Sequence, residues 1–167
     1  MPAGVSAYTP LANVTLGSSA ATVTFSSINQ GFRDLVLIID NAREVTNIGA
    51  SMQMRFNSNA GSIYTNVYMS GNGSSTSSSF GSDTFFALSS GQGLSTSNPQ
   101  SFIVNIMDYS TTNKNKTLLA RNDMPSANVA ASAQRFAAND AVTSMTLFLF
   151  MGSIAANTTF ALYGVSE

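Results

Sequence analysis

The chain has no cysteine, no histidine and no tryptophan among its 167 residues. Without cysteine, disulfides and thiolate metal ligands are excluded. Without histidine, the Ser-His-Asp and Cys-His catalytic arrangements and all imidazole metal sites are excluded as well. Charged residues make up 9% of the chain, against about 25% in typical soluble domains. The polar surface must therefore consist mainly of Ser, Thr, Asn and Gln.

The remaining carboxylates are too scattered to form a paired acid–base site. Glutamate occurs only at Glu44 and at the last residue, and the aspartates stand beside predicted turns or strand ends. Asp40-Asn41 and Asn122-Asp123 offer oxygens of the kind that calcium prefers, without the dense, regular spacing of a calcium loop. Turn formation by Asx side chains explains these pairs better. We therefore predict a protein that is not an enzyme and has no catalytic residue, cofactor or metal.

The net charge is -1, from seven basic and eight acidic residues. Such a chain has no long-range field to attract nucleic acid or an anionic membrane. The longest mostly apolar run, Met145 to Met151, is far shorter than a membrane span. The first ten residues have no basic region or apolar core of a signal peptide, so we expect synthesis in the cytoplasm without a leader. Neither nucleic acid nor a membrane is an expected partner.

Alternating apolar residues near the end of the chain predict its structural core. Leu147 and Leu149 share one face of a predicted strand, and Phe160 and Leu162 share one face of the next. We expect these two strands to pair as an antiparallel hairpin that closes the sheet. Thr158 is expected at the exposed start of the second strand.

The same period of two recurs along most of the chain. Further strands are predicted at Phe32 to Asp40, Ser51 to Asn57, Ile63 to Met69, Asp83 to Leu88, Phe102 to Tyr109 and Lys116 to Asn122, with an early hairpin of Asn13 to Leu16 and Ala21 to Phe25. Val129 to Phe136 is alanine-rich and fits either a helix or a strand, of which we favour the strand. Ser70 to Gly81 is of low complexity and is predicted to be an exposed loop.

The strand count, eight to ten, and the lack of helical periodicity predict an all-β protein. The expected architecture is an antiparallel two-sheet sandwich, most closely a jelly roll. Residues 1–10 are small and turn-rich and are predicted to form an N-terminal arm. Residues 11–167 are predicted to form a single β-sandwich domain.

Two charged and three aromatic residues are the candidate binding residues. Arg55 and Asp108 lie within otherwise apolar strands, where a structural ion pair or hydrogen-bond anchor is favoured over a ligand-binding pair. Tyr64, Tyr68 and Tyr109 have the aromatic faces on which sugars stack. Half-buried tyrosines with a hydroxyl at the rim are the more common interpretation of such a pattern.

Several short strand motifs resemble those of a family of short bacteriophage virion proteins. The matching segments are Val14-Thr15-Leu16, Thr22-Val23-Thr24-Phe25, Asp34-Leu35-Val36-Leu37, Arg55-Phe56-Asn57 and Thr159-Phe160-Ala161-Leu162-Tyr163-Gly164-Val165. They span nearly the whole chain, and none of them carries chemistry.

The resemblance implies a structural protein on the surface of a phage virion, made in the host cytoplasm. It is expected to be a capsid decoration (cement) protein or a short fibre or spike subunit. Its expected partners are copies of itself, as a homotrimer, and other virion proteins such as the major capsid or tail proteins. The alternative is a carbohydrate- or receptor-binding module of a tail fibre, which would bind host surface glycans through the Ser70 to Gly81 segment and nearby tyrosines.

Overall fold

The structure is a computed structural model, and it describes residues 7–46, 49–89, 93–123 and 129–166. These residues form twelve strands, which are β1 (Tyr8–Thr15), β2 (Thr22–Phe25), β3 (Asp34–Ala42), β4 (Met52–Phe56), β5 (Tyr64–Gly71), β6 (Thr76–Asp83), β7 (Phe86–Ala87), β8 (Gln100–Met107), β9 (Lys116–Asp123), β10 (Val129–Phe136), β11 (Met145–Leu149) and β12 (Thr159–Val165). No helix occurs in the described part of the chain, so none there is long and apolar enough to cross a bilayer.

The strands form two antiparallel sheets. The larger sheet has eight strands in the order β1-β12-β3-β8-β9-β10-β5-β6, and the smaller has four in the order β2-β11-β4-β7. The predicted all-β, two-sheet sandwich is confirmed. A jelly roll has eight strands in two Greek keys, and sheets of eight and four strands do not confirm that finer prediction.

The strand β3 lies near the middle of the larger sheet, between β12 and β8. Leu35, Leu37 and Ile39 are fully buried toward the smaller sheet, while Val36 on the opposite face is 8% exposed. Leu35, Val36 and Leu37 are thus buried on both faces of the strand, in keeping with the continuous apolar run, while Ile38 on the second face is half-buried.

The last two strands do not form the predicted hairpin. The strand β11 pairs with β2 and β4 in the smaller sheet, whereas β12 pairs with β1 and β3 in the larger one. Their connection crosses from one sheet to the other, and Ile154 within it forms bridges to Ala20 and Glu44. Leu147, Phe160 and their alternate neighbours still face a common core, since that core lies between the two sheets.

The predicted early hairpin is wrong for the same reason. The strand β1 lies at one edge of the larger sheet and β2 at one edge of the smaller sheet. The predicted arm is also corrected in part, because Tyr8 to Pro10 belong to β1 and pair with β12. The rest of the arm, apart from residue 7, lies outside the described residues.

The serine-rich segment predicted as a loop forms most of a β-hairpin. The strand β6 pairs with β5 in continuous register from Tyr64↔Asp83 to Gly71↔Thr76. Its turn contains Gly73 at a φ of 84°, a left-handed value that glycine adopts without strain. The segment is exposed as predicted, but it is a strand rather than a loop.

Four aromatic rings pack between the smaller sheet and the half of the larger sheet that contains β10 and β5. Phe56, Tyr64, Phe86 and Phe136 come from β4, β5, β7 and β10, and all are at most 1% exposed. Their ring centroids lie 4.7 to 6.5 Å apart, mostly in edge-to-face geometry. Such pairs add to the free energy gained by burial alone. Beyond this cluster, every residue of β6 is exposed except the half-buried Asp83.

Candidate interaction surface

The outer face of the larger sheet, turned away from the smaller sheet, carries most of the exposed apolar side chains. Strand register aligns two rows of residues across this face. One row is Tyr163, Val36, Asn105, Leu119, Ala133, Val67 and Phe80, and the other is Ala161, Ile38, Ile103, Arg121, Ala131, Met69 and Ser78. Ten of these fourteen residues are apolar, so the outer face is a nearly continuous apolar surface.

Exposure is greatest on the half of the outer face formed by β9, β10, β5 and β6. Leu119 and Val67 are each 54% exposed, Met69 is 62% exposed and Phe80 is 85% exposed. Apolar side chains scattered singly over a surface are ordinary, whereas a contiguous patch of them marks an interaction site. The outer face between β9 and β6 is therefore the candidate functional surface.

A groove runs along β10 within this surface. Its floor consists of Ala131 and Ala133, whose small side chains leave space between larger neighbours. Val67 and Met69 of β5 form one wall, and Leu119 of β9 stands in the other. The groove has a volume of about 470 Å³. A concave apolar floor with taller apolar walls suits a protruding apolar side chain of a partner.

The charges on this half of the outer face are few and solvated. Arg121 and Arg135 are exposed beside the groove, and Asp123 is exposed at the end of β9. The Asp123 carboxylate accepts a hydrogen bond from the backbone N–H of Ser101 at 2.8 Å. No group of three or more acidic, histidine or cysteine side chains that could hold a metal ion occurs among the described residues.

The free edges of the two sheets differ in their protection against strand pairing. The edge strands of the smaller sheet, β2 and β7, have only four and two residues. The strand β1, at one edge of the larger sheet, contains Pro10 and a register shift between Pro10 and Ala12. Short strands, proline and bulges all block edge-to-edge association. The eight-residue strand β6 has no proline, no register shift and a single charge at its end.

Arg55 and Asp108 lie apart, and both are half-buried. The Arg55 guanidinium lies 4.7 Å from the centroid of the Phe148 ring and donates from Nε to the Thr84 carbonyl at 2.9 Å. Asp108 follows β8 in a left-handed conformation and pairs with Lys114 at 2.9 Å. A mutual ion pair or shared ligand site is therefore wrong, and each residue is an anchor at a sheet end.

The candidate tyrosines do not form a stacking platform. Tyr64 and Tyr109 are fully buried, and their hydroxyls donate to the carbonyls of Asn59, at 2.8 Å, and Asn29. Burial raises the pKa of both hydroxyls. Tyr68 alone is half-buried, on the other side of the sheet from the candidate surface. The interpretation of these three residues as a ligand surface is corrected accordingly.

The pairs Asp40-Asn41 and Asn122-Asp123, considered above for calcium, are linked by hydrogen bonds to Ser101. Asp40 accepts a hydrogen bond from the Ser101 hydroxyl at 2.6 Å, and Asp123 accepts one from the Ser101 backbone. Asn41 has a φ of 54° and donates to the Asn157 carbonyl at 2.9 Å. Asn122 is 6% exposed, and both ends of its amide lack a hydrogen-bond partner among the described residues. Asp40 and Asn41 therefore hydrogen-bond to residues distant in the chain and not, as an Asx turn would, to their own neighbours.

Some buried polar residues were not singled out by sequence reasoning. The Lys116 side chain is buried at the start of β9, where its ammonium donates to the carbonyls of Lys114 at 2.7 Å and Asn139 at 3.2 Å. Desolvation lowers the pKa of Lys116. Gln134 faces the interior from β10 and donates to the Ala87 carbonyl at 2.7 Å. Both residues alternate with exposed neighbours, and this period was the only available signal of their burial.

Comparison with known proteins gives no family for this chain: no protein-family model and no curated protein matches it. The geometry of the molecule is therefore the basis for inferring its function. It contains an apolar surface, a groove and an unprotected sheet edge. These are features for contact with another macromolecule.

Proposed function

We propose that the protein is a non-enzymatic structural subunit on the surface of a bacteriophage virion, either a capsid decoration protein or a short fibre or spike subunit. The observation that carries the proposal is the exposed apolar surface formed by β9, β10, β5 and β6. A free monomer with 54% to 85% exposure at Leu119, Val67, Met69 and Phe80 would be prone to association. In an assembled particle the same side chains would be covered.

The composition of the chain supports a role in an assembly. A net charge of -1 and a charged fraction of 9% give little electrostatic protection against self-association. A protein whose surface is designed to stay in contact with neighbours tolerates this deficit. The strand motifs that resemble short phage virion proteins, such as Thr159 to Val165, supply the context of a virion.

The buried tyrosines count against the glycan-binding alternative. Two of its three candidate residues, Tyr64 and Tyr109, are fully buried, and Phe80, which is 85% exposed, belongs to the apolar candidate surface. We therefore assign the protein's contacts to other virion proteins and to copies of itself. Synthesis in the host cytoplasm followed by incorporation into the particle is part of this proposal.

Binding to virion parts tests the proposal directly. Heads and tails are prepared from a phage in which the gene for this protein is disrupted. Binding of the purified protein to them is measured by co-sedimentation. We expect binding to one of these parts, and we expect Met69→Lys to weaken it at least about tenfold, which corresponds to about 1.4 kcal/mol. The lysine would place an uncompensated charge in a covered apolar contact.

Met151→Lys is the matched control, because Met151 is 54% exposed in the connection after β11 and lies outside the candidate surface. It should bind as the parent does. Equal loss in both variants would show that the outer face has no special part in attachment. A parent protein that binds host cells or glycans instead of heads or tails would contradict the proposed function.

A further inference from the structure

The pairing pattern of the β5–β6 hairpin shows which backbone groups of β6 are free. At the turn, the Asn72 N–H donates to the Ser75 carbonyl at 3.2 Å, and the register continues without a shift to Tyr64↔Asp83. Hydrogen-bonded and non-hydrogen-bonded pairs alternate along an antiparallel ladder. Counting from the turn, Ser77, Ser79, Gly81 and Asp83 bond to β5.

The other residues of β6 point their backbone groups away from the sheet. Thr76, Ser78, Phe80 and Ser82 therefore direct four N–H and four C=O groups toward the outer edge of the sheet, where no strand in the described part of the chain pairs with them. Their side chains lie on the outer face, in the same rows as Val67 and its neighbours. A second strand can thus be added without disturbing any bond already made to β5.

The free backbone N–H and C=O groups of β6 can form hydrogen bonds with those of β6 in a second copy of the chain. If two such strands run antiparallel with Ser79 opposite Ser79, then Ser78 faces Phe80 of the other copy and Thr76 faces Ser82. In this register all four free residues of each strand form hydrogen-bonded pairs. If one strand is shifted by one residue, each residue with free backbone groups lies opposite a residue whose groups are already bonded to β5. Such a shift would leave the free groups without partners, and the alternation therefore favours this register.

Charge and shape agree with pairing between copies. The only charge in β6 is that of Asp83, and in this register the two Asp83 residues lie at opposite ends of the paired strands. They would be roughly 27 Å apart at ~3.4 Å per residue, well beyond the Debye length of about 8 Å. The two Phe80 rings become diagonal neighbours on the outer face, within reach of each other.

We infer that β6 pairs antiparallel with β6 of a second copy of this chain, which joins the two larger sheets into one continuous sheet across a two-fold axis at Ser79. The inference rests on the proposed structural role and deepens it, because it names one contact through which the subunit assembles. An isologous edge contact of this kind closes with two copies.

A cross-linking experiment tests the register. The natural chain has no cysteine, so a single introduced cysteine reports only its own contacts. In a non-hydrogen-bonded pair the Cα atoms are about 4.5 Å apart, within the range of a disulfide. Ser79→Cys should therefore form a disulfide-linked dimer on mild oxidation. Ser77→Cys is the control, because its counterpart would be roughly 13 Å away along the strand.

The inference predicts efficient linkage at position 79 and little at position 77. Equal linkage at both positions, or at neither, would overturn the paired register. Since both serines are exposed on the same face of β6, a difference between them cannot come from accessibility alone.

Molecular mass in solution supplies the second test. Sedimentation of the parent over a concentration series should show the mass of two chains, and Phe80→Lys and Ser78→Lys should each shift the midpoint of association at least about tenfold. Both residues are exposed in the subunit, so neither change removes a core contact. Phe150→Lys is the matched control, because Phe150 is 63% exposed outside β6 and should leave the dimer intact.

A parent that stays monomeric throughout, or one that sediments as a trimer, would overturn the inference. So would a dimer that is unaffected by the lysine at position 80. These measurements use the purified protein without particles. Failure to pair through β6 is therefore distinguishable from failure to bind heads or tails.

Discussion

Phe160 is a fully buried residue of β12 whose loss should be felt throughout the domain. Its neighbours in the sheet are Val14 and Ile39, and its side chain faces the core between the two sheets. Truncation of a buried Phe to Ala costs about 3–5 kcal/mol, through lost transfer free energy and the cavity left behind. We expect Phe160→Ala to lower the free energy of unfolding in urea by that amount, a large part of a total of roughly 5–15 kcal/mol.

Phe150→Ala is the control for this measurement, because its side chain is 63% exposed. It should change the free energy of unfolding by no more than about 0.5 kcal/mol. If Phe160→Ala proved as stable as the parent, β12 would not contribute to the core in the way that its burial implies.

The buried tyrosines make an alkaline titration informative. Burial raises the pKa of the hydroxyls of Tyr64 and Tyr109 above their ordinary value of 10.0. Above pH 10 the unfolded chain releases these protons more readily than the folded one, so this contribution to stability is present below pH 10 and is lost as the pH rises further. A spectrophotometric titration should show two of the five tyrosines ionising later than the rest.

Tyr64→Phe and Tyr109→Phe identify the late groups, since each should remove one of them from the titration. Complete ionisation of all tyrosines in a single step near pH 10, in folded protein, would contradict the buried positions of these two hydroxyls.

Thr158 shows why some residues were misjudged from the sequence. It was expected to be exposed at the start of a strand, but it is fully buried and its hydroxyl bonds to the carbonyls of Ala155 at 2.9 Å and Asn41 at 3.2 Å. A threonine beside a turn has no apolar period that reports burial. Phe160, by contrast, stands in a clear alternation, and the sequence alone placed it in the core.

At the scale of whole strands, alternation identified most elements but not their partners. The period of two reports that a segment has a buried face. It does not report which of the two sheets contains the strand, and so the predicted pairings β1–β2 and β11–β12 were wrong. The strand β6 was missed because four of its eight residues are serine and all but Asp83 are exposed, so its side chains show no alternation of buried and exposed positions. The presence of glycine at position 164 of β12 has a steric reason, because the Phe32 ring occupies the space that a Cβ would fill there.

Hydrogen exchange should reveal the alternation along β6. Under conditions where the protein is a monomer, the N–H groups of Ser77, Ser79 and Gly81 are bonded to β5, while those of Ser78 and Phe80 face solvent. We expect slower exchange for the first set than for the second, measured residue by residue by NMR. All should exchange faster than the amide of Leu37 in the central strand β3, because edge strands open more easily than core strands.

Raising the protein concentration provides an internal comparison. Pairing between copies should slow exchange at Ser78 and Phe80 and leave Ser77 and Ser79 nearly unchanged. Uniformly fast exchange along all of β6 would contradict the strand itself, and would restore the exposed loop that the composition of this segment suggested.

At the scale of the whole molecule, periodicity and composition together predicted the fold class and the kind of surface. The lack of helical periodicity predicted the all-β sandwich, and the low charge content pointed to an uncharged surface. What the sequence did not predict is the location of the exposed apolar surface. That surface arises because Ala133 of β10 comes to lie between Leu119 and Val67, which are distant in the chain and are brought to the same row only through sheet pairing.

The scarcity of charge predicts that salt has little effect on stability. The ion pairs among the described residues are Arg33 with Asp34 at 3.6 Å and Asp108 with Lys114 at 2.9 Å, and both are solvated. Exposed pairs contribute about 0–1 kcal/mol each. Between about 0.05 M and about 1 M sodium chloride, screening should shift the midpoint of thermal unfolding by less than about 4 °C, which is roughly 1 kcal/mol for a chain of this length.

Salt also distinguishes two kinds of contact between the protein and its neighbours. If apolar side chains and backbone pairing hold the protein to its neighbours, association measured by sedimentation should persist across this range of sodium chloride. Sulfate should strengthen it, because sulfate is excluded from apolar surface. A contact made by the exposed Arg121 and Arg135 would instead weaken steeply as salt rises. Loss of association in about 1 M sodium chloride would therefore assign it to those arginines and not to the apolar groove between them.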